Sequence, residues 1–424
     1  MIDMKKLRDN PELYREAVSN KNESADIDAI LQLDERRREL LQQGNDLKHQ
    51  RNVVSEEIGK KKKAGEDASE KINAMREVAD KIKSIDGDLS EIETELEQLL
   101  LQVPNVPHES VPVGKDESDN KFIREWGEFR EFDFEPKTHL EIGENLGLFD
   151  LQRGAKITGS GFPLYTGMGA KLERALINFM LDYHIKQHGF TEVAPPLLVS
   201  RESMTHTGQL PKLEEDMYHM PTDDLFLIPT SEVPVTNIYA DEILPEEKLP
   251  VKYVAYTPCF RREAGSHGRE TRGFLRVHQF NKVEMVQFVK PDTSYEVLET
   301  LTGYAETILQ ALEIPYRVLS LSTGDLSFAA AKCYDIEIFA PGEKQWLEVS
   351  SCSNFEDFQA RRGNIRYRKS SDRSVEFVHT LNGSGVATAR LLVALLETHQ
   401  TDEGTVKLPE ALKPYLDSTI LKQL

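Results

Sequence analysis

The sequence predicts an α+β protein: a long antiparallel helical hairpin followed by a body built on an antiparallel sheet flanked by helices. Three observations predict it. Residues 28–101 hold no proline and little glycine, and apolar residues recur there in alternating steps of three and four. Beyond about residue 122, aromatic residues, Gly and Pro become common. In that part strand-like runs adjoin without a helix between each pair, which favours an antiparallel sheet over a doubly wound one.

The hairpin comes first. Its second half carries Met75, Val78, Ile82, Ile85, Leu89, Ile92, Leu96 and Leu99, an unbroken heptad seam. Its first half carries Ile30, Leu33, Leu40, Leu47, Val54 and Ile58 in the same frame, with Arg37, Gly44 and Arg51 at the missing positions. Between them, Lys60 to Lys63 and Ala64-Gly65-Glu66-Asp67 combine a C-capping glycine with an acidic helix start. Two helices of about 35 residues make an arm of ~50 Å at ~1.5 Å per residue. An arm that long exposes much surface for its core and is expected to touch a partner. The predicted division is 1–101 for the N-terminal domain, with the hairpin over 28–101, then a linker at 102–121 and a second domain at 122–424. Pro104, Pro107 and Pro112 mark the linker as extended.

In the second domain, strands are expected at Leu225–Ile228, Val251–Tyr256, Phe274–Val289 and Tyr334–Phe339, with helices at Ala170–His188 and Thr388–His399.

Composition narrows the functional classes. The chain has 424 residues, a soft prior of two or three domains at ~150 residues each. No apolar run approaches the ~20 residues of a membrane span. The first twenty residues mix both signs of charge, unlike a signal peptide. Cys259, Cys333 and Cys352 are odd in number and far apart, which suggests a reducing compartment. A cytoplasmic protein is expected. With 52 Lys and Arg against 72 Asp and Glu, the net charge is −20, which taken as a sum disfavours a nucleic-acid partner. Screening makes charge local, however, over ~8–10 Å. The basic Lys60, Lys61, Lys62 and Lys63 at the hairpin tip, and Arg269 and Arg272 in the body, remain candidate contacts for a polyanion.

There is no G-x-x-x-x-G-K-[ST] loop. Gly167-x-Gly169-x-x-Leu172 lacks the last glycine of a dinucleotide fingerprint. His184 and His188 lie four apart without the glutamate of a zinc-hydrolase helix and read as packing residues. No Cys/His spacing suggests structural zinc. The informative stretch is Thr257 to Glu263. Arg261 and Arg262 close a hydrophobic strand, a place suited to a bidentate grip on phosphate or carboxylate, and Arg269, Arg272 and Arg276 follow. Glu284 sits in the apolar run Lys282–Val286, where an ionised carboxylate needs a partner. Such a residue is equally well a structural salt bridge. Trp346 to Ser353 sets Glu348 beside Ser350 and Ser351 at a strand end, oxygen donors that suit Mg²⁺ held with phosphates. Thr380 to Leu392 reads as a glycine-rich turn opening a helix, with Arg390 in its first turns.

In this order the segments resemble the three signature motifs of class II aminoacyl-tRNA synthetases. The first is the long helix with Gly189-Phe190-x-x-Val193-x-x-Pro196-Leu197-Leu198. The second is Phe260-Arg261-x-Glu263 with its loop and strand, and the third is the glycine-rich turn with Arg390. Thr230-Ser231-Glu232, the Glu-Val-Ser-Ser run and the arm narrow the likeness to the bacterial-type seryl branch. It extends over essentially the whole chain. The resemblance implies a class II catalytic domain, a homodimer formed through the first motif, and ligation of serine to tRNA in two steps through seryl-adenylate. It implies that Arg261 grips the α-phosphate and the serine carboxylate, that Arg390 holds the γ-phosphate, and that Arg262 belongs to the ATP site. Glu263 would meet the adenine, Val277 the nucleotide, and Glu348 with Ser351 the Mg²⁺, with Val349 and Ser350 in the same ATP-contacting strand. Thr230 and Glu232 would face the serine amino group, with Ser231 also at the serine site, and Glu284 and Ser384 its side chain, with Asn382 nearby. Implied partners are tRNA(Ser), L-serine and ATP; whether tRNA(Sec) is also charged stays open. Where the generic third motif often has an acidic residue before its arginine, this chain has Ala389, as the seryl branch does. The zinc-binding pattern of some methanogen seryl enzymes is not seen.

Three alternatives compete: a coiled-coil scaffold, a synthetase paralogue with another acceptor such as a carrier protein, and a threonyl or prolyl enzyme. The arginine and glutamate set argues against the first, the arm against the second, and the arm with Glu284 against the third.

Overall fold

A computed structural model describes residues 1–264 and 272–423. Two bodies divide the chain: 1–19 with 23–104, and 20–22 with 105–424.

In the first body, helices Met4–Asp9 and Pro11–Asn20 precede the arm. Arm helix α1 spans Ile27–Lys63 and α2 spans Ser69–Leu100. The Asp26 carboxylate starts α1 by accepting from the Ala29 N–H at 2.9 Å. Gly65, at φ +76°, follows its end in the left-handed conformation that favours glycine. At 37 residues, α1 is ~55 Å long. The seam buries Ile30, Leu40, Val78, Ile82 and Leu96. The polar interruptions have partners. Arg37 donates to the buried Asp34 at 3.1 Å and lies 3.8 Å from Glu93 of α2, while Arg8 and Arg38 also reach Asp34. Lys48 bridges to Asp86 at 2.8 Å.

The second body is ordered around an eight-stranded sheet. In chain order its strands are β1 Lys121–Trp126, β2 Thr191–Glu192, β3 Val251–Phe260, β4 Gln279–Val289, β5 Tyr316–Ser320, β6 Lys332–Ala340, β7 Gln345–Asn354 and β8 His379–Ala387. Their spatial order is β1-β5-β6-β7-β8-β4-β3-β2, antiparallel except for the short β2–β3 pair. Three helices, α3 Gly167–His188, α4 Ser294–Ala311 and α5 Thr388–Thr398, bury Leu172, Leu176, Met180, Leu301, Ile308, Leu392 and Leu395 in one core with Val283, Met285, Ile336 and Leu381 of the sheet.

Four expectations need correction. The segment expected as a linker is bound along the second body: Asn105 donates to the carbonyls of Phe328, Ala329 and Phe355, and the His108 N–H to that of Ala331. Extended backbone has polar groups to satisfy, and the 323–331 segment satisfies them. The strand expected from Phe274 begins at Gln279, and Leu225–Leu227 lies in a separate three-stranded sheet with Leu198–Ser200 and His219–Met220. Glu348 sits within β7 rather than at a strand end. The glycine-rich turn is strand β8. Its glycines serve packing: a Cβ on Gly383 would lie 2.8 Å from Cys352 Sγ, and one on Gly385 2.4 Å from His184 Nε2. His184 Nε2–H donates to the Gly385 carbonyl at 2.8 Å, and His188 Nδ1 lies 2.9 Å from His184 Nδ1. Burial lowers both imidazoles to about 4.

Gly44 offers a direct test of the arm. A Cβ there would meet only Ile85 Cγ2, at an ordinary 3.5 Å. Gly44→Ala should therefore stabilise the arm by ~0.5–1 kcal/mol through helix propensity. A raised urea midpoint checks it, and a lowered one contradicts the seam geometry.

Candidate active site

The helices of the main core cover one face of the central strands. On the opposite face, alternation brings polar side chains together. Phe280, Lys282 and Glu284 come from β4, Asn382 and Ser384 from β8, Val349, Ser351 and Ser353 from β7, and Cys333 and Asp335 from β6; all line one cavity of about 620 Å³. The walls add Thr230, Glu232, Arg261, Glu263, Arg276, Val277, Asp325, Glu348 and Arg390. Further along β4 the same face turns apolar, where Val286 and Phe288 pack with Val235, Tyr239, Ile365 and Tyr367.

At the cavity floor Lys282 Nζ lies 2.5 Å from the Glu284 carboxylate and donates to Thr230 Oγ1 at 2.7 Å. The Ser384 hydroxyl, in register with Glu284 across the β8–β4 ladder, donates to the same carboxylate at 3.4 Å. Glu232 is buried beside them and accepts from Gln359 Nε2 at 2.6 Å. Burial, with the Glu284 charge, raises the Glu232 carboxyl to about 7.

The cationic side is prepositioned. Arg261 follows the end of β3, donates from Nε to the Pro229 carbonyl at 3.3 Å, and lies 5.2 Å from the centre of the Phe280 ring. Two residues on, Glu263 adopts φ +52° and pairs with Arg276. Arg390, in the first turn of α5, donates to the carbonyls of Leu275 at 3.1 Å and Glu348 at 2.8 Å, with the Glu348 carboxylate 3.5 Å away. On β6, Asp335 accepts from the Ser351 hydroxyl. Burial and the neighbouring Glu348 hold its carboxyl well above the usual range.

Twelve of the fifteen residues assigned to serine or ATP thus share one cavity, Thr230, Glu232, Arg261, Glu263, Val277, Glu284, Glu348, Val349, Ser351, Asn382, Ser384 and Arg390, and Arg276 lines it with them. Three do not line it. Ser231 bonds Thr257 Oγ1 at 2.6 Å, Ser350 points to the other face of β7 and donates to the Ser384 carbonyl at 2.6 Å, and Arg262 faces a separate pocket with Glu214, Tyr218 and His219. Lys60 to Lys63 close α1 in the first body, and Arg269 lies outside the described residues. Arg272 is exposed and its guanidinium is 3.6 Å from Glu343. That glutamate, His139 and Glu397 form a buried cluster of metal-ligand types. The Phe274 N–H points to His139 Nε2 at 3.3 Å, which leaves the ring proton on Nδ1, facing both carboxylates. His139 and Glu397 are therefore hydrogen-bonded within the cluster, while Glu343 Oε1 is buried without a hydrogen-bond partner.

Sequence reasoning missed Lys282 as a site residue, and it missed Asp335. The first had a signal, two positions from Glu284 on the same strand face. Asp335 had a weaker one, an acid alternating with Tyr334 and Ile336 in an apolar run.

An antiparallel sheet with arginines after β3 and in α5, around one cavity, defines the core of a class II aminoacyl-tRNA synthetase. The family profile "tRNA synthetase class II core domain (G, H, P, S and T)" matches residues 215–399, and "Seryl-tRNA synthetase N-terminal domain" matches residues 1–107. A serine–tRNA ligase of Desulfitobacterium hafniense is 55% identical over 98% of this chain and 99% of its own. That of Thermoanaerobacter pseudethanolicus is 55% identical over 100% of both. The crystal structure of seryl-tRNA synthetase from Pyrococcus horikoshii, complexed with ATP, superposes with a TM-score of 0.94 at 39% identity over 100% of both chains. The chain belongs to the seryl-tRNA synthetase family. No helix among the described residues is long and apolar enough to cross a membrane.

The Lys282 contacts can be tested by removal. Lys282→Met leaves Glu284 and Glu232 buried without their ammonium, which should cost ~3–5 kcal/mol at pH 8. The loss should shrink toward pH 5, where the Glu232 carboxyl, raised to about 7, is protonated. Urea midpoints at the two pH values check this; equal losses at both would contradict the pairing.

Proposed function

We propose that this cavity activates L-serine with ATP to seryl-adenylate, releasing pyrophosphate, and that the seryl group then passes to the 3′ end of tRNA(Ser). The observation that carries the reading is the floor itself, with buried Glu284 and Ser384 opposite Glu232 and Thr230, inside a ring made by Arg261, Arg276 and Arg390. Glu232 and Thr230 take the serine ammonium, while Glu284 accepts from the serine hydroxyl, with Ser384 and Asn382 beside it. Selection follows. A ligand without a hydroxyl leaves the buried Glu284 without that hydrogen bond. Threonine is excluded by size, where one methylene is worth only ~1–3 kcal/mol.

The serine carboxylate attacks the α-phosphorus, and pyrophosphate leaves. Charge builds on a crowded phosphorus, and Arg261, already fixed on Pro229 and Phe280, meets it without reorganising. Arg390 holds the γ-phosphate. Glu263 takes the adenine edge and Val277 packs beside the nucleotide. Mg²⁺ fits the donor set, since seven carboxylates and four basic side chains line the cavity, and the Glu348 carboxylate and Ser351 hydroxyl are hard oxygen donors on one strand. When bound there, the ion would neutralise phosphate charge that the arginines alone leave. The arm is read as the tRNA-binding element, with Lys60 to Lys63 as phosphate contacts. The chain is read as a cytoplasmic homodimer on the strength of the family resemblance.

Pyrophosphate exchange across an amino-acid panel tests the assignment. Serine should exceed alanine at least ~100-fold and threonine at least ~10-fold, and parity would overturn it. Glu284→Ala should lower kcat/KM for serine by about 100-fold, the worth of a charge-assisted hydrogen bond. A variant that fails to fold would instead mark Glu284 as a structural ion pair. Deleting residues 28–101 should spare exchange and abolish charging of tRNA; equal charging would remove the arm from tRNA recognition.

The serine ammonium needs Glu232 ionised. Because that carboxyl is raised to about 7, serine binding should weaken as pH falls from 8 to 6. Glu232→Gln should bind weakly at both values. A wild-type serine affinity that is flat over this range contradicts the role.

A further inference from the structure

Gln359 has no place in the reading above. It lies in the short helix Phe358–Arg362, is 1% exposed, and reaches Glu232 from outside the cavity. Its Nε2 donates to Glu232 Oε1 at 2.6 Å and to the Thr207 carbonyl at 3.3 Å, while its Oε1 accepts the Thr380 hydroxyl at 2.7 Å. These contacts fix which way the amide points. A backbone carbonyl can only accept, so the NH2 group faces Thr207 and, with it, Glu232. Gln359 is therefore a donor to Glu232 whichever protonation state that carboxyl holds, and a donor to a carboxylate favours the ionised form. Thr380, which locks the oxygen end, stands two residues before Asn382 on the same face of β8.

The groups around Glu232 oppose one another. Burial and the Glu284 charge raise its carboxyl, while Gln359, Lys282 and Asn382 lower it. Cys259 of β3 is a thiol that burial pushes up. On the helix Arg201–Thr207, which packs against that of Glu232, Arg201 pairs with Glu214 and Asp224, and His206 bonds Asn237 with Glu202 3.8 Å away. Beside Gln359, Arg361 pairs with Asp357 and Arg362 donates to the carbonyls of Thr205 and Leu210. Of the groups that bear on Glu232, only Gln359 both touches it and lies outside the space that serine would fill.

We propose that Gln359 is a positioning residue for serine binding, whose amide keeps the Glu232 carboxylate ionised and aimed at the serine ammonium without touching substrate. This rests on the reading of Glu232 as the acceptor for that ammonium. A purely structural tie between the helix and the cavity wall is the competing account. Its loss would misplace the wall and weaken serine binding by the same factor at every pH. Loss of a donor to the carboxylate instead moves the pH at which binding fails, because Glu232 then takes up its proton more readily.

Serine affinity of the full chain, measured by calorimetry without nucleotide from pH 5.5 to 9.5, tests this. In the wild type it should fall as the pH drops, with a midpoint near 7. Gln359→Met keeps the length of the side chain and removes the donor. Its midpoint should rise by about one pH unit, the worth of a charge-assisted hydrogen bond, so that serine binds ~10-fold more weakly than to the wild type at pH 6 and within about twofold of it at pH 9.5. An unchanged midpoint, with or without a uniform loss of affinity, overturns the proposal. Thr380→Val, which releases the oxygen end of the amide, should raise the midpoint by a smaller amount. If Gln359→Met does not fold, Thr380→Val is read against the same outcomes. A wild-type affinity without a midpoint, or a Glu232→Gln variant that binds serine as the wild type does at pH 8, would overturn the parent reading instead, so the two failures are separable.

Discussion

Lys282 on the open face of the sheet is the interaction on which the site depends. A buried strand face normally meets apolar side chains, and β4 does so at Val286 and Phe288. Two and four residues earlier, the same face presents Glu284 and Lys282 to a cavity. Two buried carboxylates, Glu284 and Glu232, could not both remain charged there without a cation. Lys282, tied to Glu284 and Thr230 at once, supplies it. The ammonium also fixes the direction of both acceptors, so a hydroxylated amino acid meets a floor already set rather than one it must organise.

The helices on the other face make this arrangement affordable in conformational terms. α3, α4 and α5 lock the central strands through a continuous apolar core. Gly383 and Gly385 let Cys352 and His184 approach β8 too closely for any larger residue. Because every second residue of a strand belongs to that core, the residues between them are carried to fixed positions on the cavity side. The loop-borne and helix-borne arginines are then held mainly by backbone carbonyls, Pro229 for Arg261 and Leu275 and Glu348 for Arg390, which fix a guanidinium without cancelling its charge; Arg390 has the Glu348 carboxylate at 3.5 Å as well.

What the sequence disclosed follows the same physics. The arm was legible because a heptad seam is a local pattern, and each residue is informative about neighbours three and four positions away. Arg261, Glu284 and Arg390 were legible because charge at the edge of or within apolar runs is conspicuous. The strand character of β8 was hidden by its glycines, which read as a turn until the neighbours Cys352 and His184 were placed against them. Asp335 was hidden for a different reason: its meaning comes from Ser351, sixteen residues away on a paired strand, and pairing register is not written in either strand alone. Ser231 and Ser350 show the converse. Motif membership placed them at the site, while the period of two in a strand, or a turn's local geometry, turned their side chains away.

The net charge of −20 acquires a physical sense from this division. Inside the cavity carboxylates outnumber basic groups, which suits a ligand that arrives as an ammonium. On the arm, α1 carries nine basic and seven acidic residues, whereas α2 carries four and nine. The positive charge is concentrated in the last turn of α1, at Lys60 to Lys63, where it also complements the helix dipole. A polyanion approaching such a surface is repelled along most of its length and attracted at a few points. With attraction confined to those points and screened beyond ~8–10 Å, register is set by where the charges are, and general affinity for nucleic acid stays low. An acidic protein is in this respect better suited than a basic one to reading a single class of RNA, because the excluded contacts contribute as much to the choice as the permitted ones.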